Sequence, residues 1–244
     1  MTAPELDPID SALFGFKVGF LEPSFTISPE NLTHVSEWMD ENECSLVSIS
    51  VAVGRLVEIA TLQCYGAQVI DLNLTMVLPM AARRLRHVGG VKVRLADGKD
   101  LDPILDIVGT EFEFGRYHRD PDFPRHLADK RYEYFVRNAI TQPQDGECVF
   151  VDDCKERINA FMVVRRSGST AQWVLGGVKS DEGVAMLGPL FFSGVVDALA
   201  TDSIRSMRAK ISAANTNVLN LYCLLGFMAT KPEWVLHLRN RRAI

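Results

Sequence analysis

"AANTNVLNLYCLLGF", residues 213–227, places an Asn at the mouth of an apolar run that ends in Gly-Phe. Asn is a strong helix N-cap because its side-chain oxygen accepts from a backbone N–H that the first turn leaves unpaired. Gly226 stands where a left-handed residue would end the helix. Leu219, Tyr222 and Leu225 share one helical stripe. Taken alone, the stretch is a capped helix packed on a core. Whether Asn215 and Tyr222 do more depends on their surroundings.

Working outward, residues 204–213 read as a strand before this helix and 234–239 as a strand after it. Upstream, 187–201 has helical periodicity. Residues 147–153, 157–168 and 171–180 alternate as strands, with turn residues at Asp152-Asp153 and Ser167-Gly168, so they predict an antiparallel meander. Residues 125–140 form a helix with Leu127, Tyr134 and Val136 facing inward. "FEFGRYHRDPDFP" (112–124) reads as a surface loop after a short strand. Residues 91–109 give strand, turn and short helix. The order over this half is β, α, α, β, β, β, α, β, α, β.

The N-terminal part is also mixed. Residues 13–21 suggest a strand, and 28–43 a helix with Ser28 as cap and Pro29 in its first turn. Residues 44–52 are β-rich, 54–66 are helical up to Gly66, and 67–79 alternate as a strand until Pro79. The basic segment 81–90 ends in Gly-Gly and marks a boundary. The expected organisation is a small α/β domain over 1–87 and a larger domain over 88–244. No internal repeat is visible in the sequence.

The 244-residue chain is 47% hydrophobic, 23% charged and carries a formal net charge of -5. That balance argues against a nucleic-acid-binding protein, and the short basic runs at 82–87 and 239–242 read as solvated faces. The five cysteines show no CxxC spacing, which points to reduced thiols in a cytoplasmic protein, without disulfides or a zinc site. No one cysteine stands out as a nucleophile. The acidic N-terminus lacks the features of a signal peptide, and no apolar run is long enough to span a membrane.

The element order, together with the NxxxxxxY spacing of Asn215 and Tyr222 in "NTNVLNLYCLLGF", resembles the GNAT superfamily of acyl-CoA-dependent N-acyltransferases. The resemblance covers roughly residues 90 to 240 and implies an α/β (α+β) fold with a central mixed sheet, preceded here by the smaller α/β domain. "DSALFGFKVGFL" (10–21), and "FGRYHRDPDFP" followed by "RYEYFVRNAI", are similar to bacterial sugar-nucleotide N-acyltransferases of the TDP-fucosamine acetyltransferase kind. That narrower likeness implies acyl transfer from acetyl-CoA or another acyl-CoA to the amine of a nucleotide-linked amino sugar, a dTDP-amino-dideoxy sugar used in surface polysaccharide biosynthesis. It leaves room for a homodimer. Two other readings stay open: a GNAT acyltransferase for another small amine, and a non-catalytic GNAT-like binding module.

The resemblance also assigns roles. A splayed fourth strand, here "WVLGGVKS" up to Val178, would give backbone contacts to the thioester. Gly176 and Gly177 within it mark a bulge or a close approach. The pyrophosphate loop maps to "GVAMLG" (183–188), where only Gly188 keeps the expected glycine. Gly183 stands in place of Arg or Gln, and Met186 in place of the first Gly. Backbone N–H groups of Gly183, Val184, Leu187 and Gly188 could still hold phosphate. Asn215 would meet the pantetheine arm and Tyr222 would protonate the leaving thiolate. His118, Asp120 and Glu113 are candidates for the base, with His118 titrating in the useful range. Arg116 and Arg119 would clamp a diphosphate and Tyr117 would stack on a base.

Overall fold

A computed structural model describes residues 4–22, 24–83, 91–152, 157–180, 187–200 and 203–240. In chain order its elements begin with β1 (Glu5–Leu6), α1 (Pro8–Phe14), β2 (Lys17–Leu21), α2 (Pro29–Glu41), β3 (Cys44–Ala52), α3 (Leu56–Cys64) and β4 (Gln68–Pro79). They continue with β5 (Val93–Leu95), α4 (Leu101–Glu111), α5 (Arg125–Thr141), β6 (Glu147–Asp152), β7 (Ala160–Ser167) and β8 (Thr170–Val178). The chain closes with α6 (Leu187–Leu199), β9 (Ser206–Ser212), α7 (Thr216–Leu225) and β10 (Met228–Arg239). No described helix is long and apolar enough to cross a membrane.

These elements fall into two compact units that interleave along the chain. One holds residues 1–73, 116–127 and 231–244; the other holds 74–115 and 128–230. The sequence reading divided the chain at 87/88 instead. The difference has a local cause: β4 and β10 are 12-residue strands, and each contributes residues to both units. A uniform strand pattern carries no mark of where it changes company. Part of the expected linker, residues 84–90, lies outside the described residues.

In the larger unit, β6, β7 and β8 form the expected antiparallel meander, with β5 antiparallel to β6. β9 then pairs with β8 in parallel. Apolar side chains cover both faces. Ile104, Ile107 and Val136 of α4 and α5 pack with Val149 and Phe161 on one. Phe191, Val195 and Leu225 of α6 and α7 pack with Met162 and Met207 on the other. Within α5, Val136 is buried as expected, with Ala128 and Ala139 beside it, while Leu127 and Tyr134 are only half-buried. The bidentate Arg94–Asp100 pair, at 2.6 and 2.8 Å, ties β5 to the turn before α4.

In the smaller unit, β2 is parallel to β3, and β3 is antiparallel to β10. Leu32, Val35 and Met39 of α2 and Ile59 and Leu62 of α3 pack on Val47, Ile49 and Val51 of β3. The strand expected over 13–21 is only its second half. Asp7 caps a helix over Pro8–Phe14, and Gly15, at φ 77°, turns the chain out of it before β2 begins.

The segment over 112–124 is not the surface loop that its charges suggested. Tyr117 and Asp120 are buried, and Phe14, Tyr117 and Phe123 form an aromatic cluster with ring centroids 4.6 to 4.9 Å apart. The Tyr117 hydroxyl donates to Asp10 at 2.7 Å, and Arg116 donates to the same carboxylate at 2.8 Å. Asp120 accepts from Arg239 and pairs with Nδ1 of His237, each at 2.5 Å. Both buried carboxylates, Asp10 and Asp120, are paired, which offsets the cost of their desolvation.

The structure also contains a repeat that the sequence did not reveal. The run β2, α2, β3, α3, β4 matches β8, α6, β9, α7, β10 in order. Both copies have a parallel strand pair and a 13-residue helix between its strands. Gly66 and Gly226 end the second helix of each copy at φ 93° and 102°. These glycines stand 160 residues apart, as do Gln68 and Met228 and also Pro79 and Arg239. Few identities survive at this spacing; the shared features are the order of elements, the 13-residue helix, the glycine after the second helix and the 12-residue last strand.

His237 gives the smaller unit a pH dependence. Burial lowers its pKa below the ordinary 6.5, and the Asp120 carboxylate restores only part of this. Below about pH 6.5 the unfolded chain therefore takes up a proton that the folded chain resists. The stabilisation is complete above that pH and is lost as pH falls, at no more than about 1.4 kcal/mol per pH unit. Asp120 adds in the same direction at lower pH. Burial alone would raise its carboxyl, but bonds from His237 and Arg239 carry it below 3.8. The thermal midpoint should fall between pH 7 and 5.5, and His237→Gln should flatten that slope while lowering stability throughout. An unchanged slope in the variant would place the titrating group elsewhere.

Candidate active site

The larger unit holds a cleft of about 860 Å³. It opens because β8 and β9 part company. Their parallel register runs from Thr170↔Ser206 to Trp173↔Ala209 and stops there, although β8 continues to Val178 and β9 to Ser212. The cause lies on the other edge of β8. Val164 pairs with Trp173 and Val163 with Leu175, so Val174 is an extra residue, a bulge. Bulges bend a strand and increase its local twist. Beyond the bulge, the edge of β8 that faced β9 has no strand partner among the described residues, and backbone N–H and C=O groups need one.

The glycine pair after the bulge is explained by the protein's own packing. A Cβ on Gly176 would come within 2.5 Å of the Met162 side chain, and one on Gly177 within 2.9 Å of Phe112. These are close approaches of side chains from β7 and from the end of α4. Gly188 at the start of α6 and Val178 at the end of β8 both line the cleft. Leu187 is buried in the core under α6 and α7 and is not a lining residue. Gly183 and Val184 lie outside the described residues.

Asn215 and Tyr222 stand on the cleft wall. The Asn215 oxygen accepts from the Val218 N–H at 3.1 Å and so caps α7, as the sequence predicts. No hydrogen bond joins its amide nitrogen to a described residue. Tyr222 is 6% exposed, with its ring stacked on Phe227 at 5.0 Å and edge-on to Trp173 at 5.4 Å. Its hydroxyl is likewise unbonded to any described residue. Burial pushes the phenol above its ordinary value of 10, so it keeps its proton throughout the neutral range.

Glu113 also lines the cleft, near Glu111, Phe112 and Tyr132. Glu111 accepts from Ser180 through both its backbone N–H and its hydroxyl. Lys179 pairs with Asp106 at 2.5 Å, which holds that carboxyl below its usual range. The remaining residues expected at the site belong to the smaller unit. Arg116 and Tyr117 serve Asp10, Asp120 serves His237 and Arg239, His118 is half-buried and Arg119 exposed. None of them lines the cleft.

Sequence reasoning did not single out Trp173, Phe192 or Lys210, which do line it. A Trp set before a glycine pair in a strand was the one available signal. The described residues contain no group of His, Cys, Asp or Glu that could hold a metal ion.

The counterpart of this site in the N-terminal copy is closed. All of β2 is paired with β3, from Lys17↔Cys44 to Leu21↔Ile49. At the 160-residue spacing, Asn215 corresponds to Arg55, which makes no side-chain cap, and Tyr222 corresponds to the fully buried Leu62.

No protein-family model matches the sequence, and no curated protein matches it significantly. Solved structures do. A conserved protein of unknown function from Staphylococcus epidermidis superposes with a TM-score of 0.64 at 12% identity, over 92% of this chain and 84% of that one. A GCN5-related N-acetyltransferase from Sphaerobacter thermophilus gives 0.63 at 13% identity, over 92% and 73%. A tandem GNAT protein from the clavulanic acid biosynthesis pathway gives 0.57 at 11% identity, over 91% and 75%. The chain has the fold of the GCN5-related N-acetyltransferases.

Proposed function

We propose that this protein is an acyl-CoA-dependent N-acyltransferase that works in the cleft between β8 and β9. One observation carries the reading: the β8–β9 ladder ends at Trp173↔Ala209, and the phenol of Tyr222, bonded to no described residue, stands on the wall of the opening. The pantetheine arm is a chain of amides of the right polarity for the unpaired edge of β8. Asn215 offers its amide nitrogen to the same arm. Gly188, at the start of α6, lets an anion approach backbone N–H groups closely, where the helix dipole favours negative charge.

The chemistry follows from the residues present. The acceptor amine must be neutral to attack the thioester carbonyl. Glu113 accepts its proton, directly or through a water. Backbone N–H groups of β8 beyond the bulge stabilise charge on the carbonyl oxygen. As the C–N bond forms and the C–S bond breaks, Tyr222 gives its proton to the departing thiolate. Of the three candidate bases, Glu113 is the one in the cleft wall.

The acceptor reading is broader than an amino-sugar nucleotide. A diphosphate calls for paired cationic donors. Lys179 is committed to Asp106, Lys210 faces a cleft that also holds Glu111 and Glu113, and Arg116 is bonded to Asp10. A panel of amines that includes an amino-sugar nucleotide decides the acceptor. Coenzyme A itself tests the site: it should raise the thermal midpoint at millimolar concentration. No shift and no calorimetric signal would leave a non-catalytic module.

Tyr222→Phe keeps the ring stacking and removes only a hydroxyl that bonds to no described residue. It should lower kcat by about 10²- to 10⁴-fold while changing stability by less than about 0.5 kcal/mol and leaving CoA affinity intact. Turnover at the wild-type rate would make the phenol a packing group.

Glu113→Gln should lower kcat/KM about 10²-fold near neutral pH, and the deficit should shrink as rising pH deprotonates the amine in solution. A deficit that is constant with pH would remove Glu113 from the role of base.

A further inference from the structure

We infer that Trp173 closes the deep end of the cleft and restricts the acyl donor to short chains, acetyl or propionyl. The inference rests on the acyl-transfer reading above and adds a specificity residue to it.

The strands that flank the cleft converge at Trp173↔Ala209, the last pair of the ladder. A donor lying between them with its phosphates toward α6 points its acyl end at this vertex. Trp173 stands there, on the face that carries α6 and α7, since its ring meets Phe192 at 5.6 Å and Tyr222 at 5.4 Å. A third ring, Phe227, lies 5.1 Å away. Three aromatic neighbours hold the indole in one position, and its residue is only 3% exposed. It cannot swing aside for a longer chain without dismantling that packing.

A second observation points to an occupant at the same place. Nε1 of Trp173 is a buried donor without a hydrogen-bond partner among the described residues, and the residue is part of the cleft wall. Buried donors nearly always have partners, because leaving one unmade is costly. A group with a carbonyl oxygen entering the vertex would supply the acceptor. The thioester end of a short-chain acyl donor has both that oxygen and a small apolar tail. In the N-terminal copy, β2 ends while still paired with β3, so no comparable vertex forms.

The test is equilibrium binding of free CoA, acetyl-CoA, butyryl-CoA and hexanoyl-CoA to the whole protein, followed by KM and kcat for the three thioesters. One methylene in a closed apolar pocket is worth roughly 10- to 200-fold. Wild type should therefore bind hexanoyl-CoA at least about tenfold more weakly than acetyl-CoA. Trp173→Leu should reduce that ratio to below about threefold and leave the affinity for free CoA unchanged. Trp173→Phe, a milder cut that keeps an aromatic ring, should admit butyryl-CoA and serves if the leucine variant does not fold. Equal binding of acetyl- and hexanoyl-CoA by wild type overturns the inference and spares the acyltransferase reading. So does a folded variant, binding free CoA normally, that discriminates as wild type does. Absence of any binding of free CoA by wild type overturns both.

Discussion

The bulge at Val174 is the constraint on which the rest of the larger unit depends. A ladder that continued past Trp173↔Ala209 would satisfy every backbone group of β8 and leave no cleft. One extra residue bends the strand away from β9 and exposes an edge that must find partners elsewhere. The side chains that matter are arranged around this opening. Gly176 and Gly177 let the bent strand lie against Met162 and Phe112. Asn215 starts α7 at the mouth, and Tyr222, two turns further along, stands beside Trp173 where the strands meet. The same burial that raises the Tyr222 pKa keeps the phenol protonated and surrounds it with the rings that pack on Trp173.

The repeat shows the same architecture with its first strand paired to the end. The N-terminal copy keeps the parallel strand pair, both helices, the glycine that ends the second helix and the long final strand. It lacks the extension of its first strand, the capping Asn and the Tyr. That copy fills its positions with Arg55 and Leu62, and Leu62 is buried among Ile59, Val35 and Leu32.

The charges of the "GRYHRD" segment are explained by the smaller unit's interior. Arg116, Tyr117 and Asp120 look like a phosphate and base recognition loop in sequence because Arg and Tyr are the residues such loops use. In the structure they satisfy one another and Asp10, His237 and Arg239. A buried carboxylate is tolerable when it is paired, and here the partners of Asp10 come from positions 116 and 117 and those of Asp120 from positions 237 and 239.

Local chemistry was legible in the sequence. Period and capping gave nearly every helix and strand, and turn residues gave the meander. The order of elements gave the fold, and the spacing of Asn215 and Tyr222 put both on one helix. Those features depend on neighbours within a few residues, and a sequence shows neighbours. The tertiary structure alone decided the interleaving of the two units, because β4 and β10 change company mid-strand without any change of pattern. It alone revealed the repeat, because the order of elements, the glycine after the second helix and the length of the last strand survive where identities do not. It also decided which carboxylates and rings face the cleft. Glu113 and Asp120 are seven residues apart with similar surroundings in the sequence, yet one lines the cleft and the other is buried against His237. Only packing across the chain separates the two.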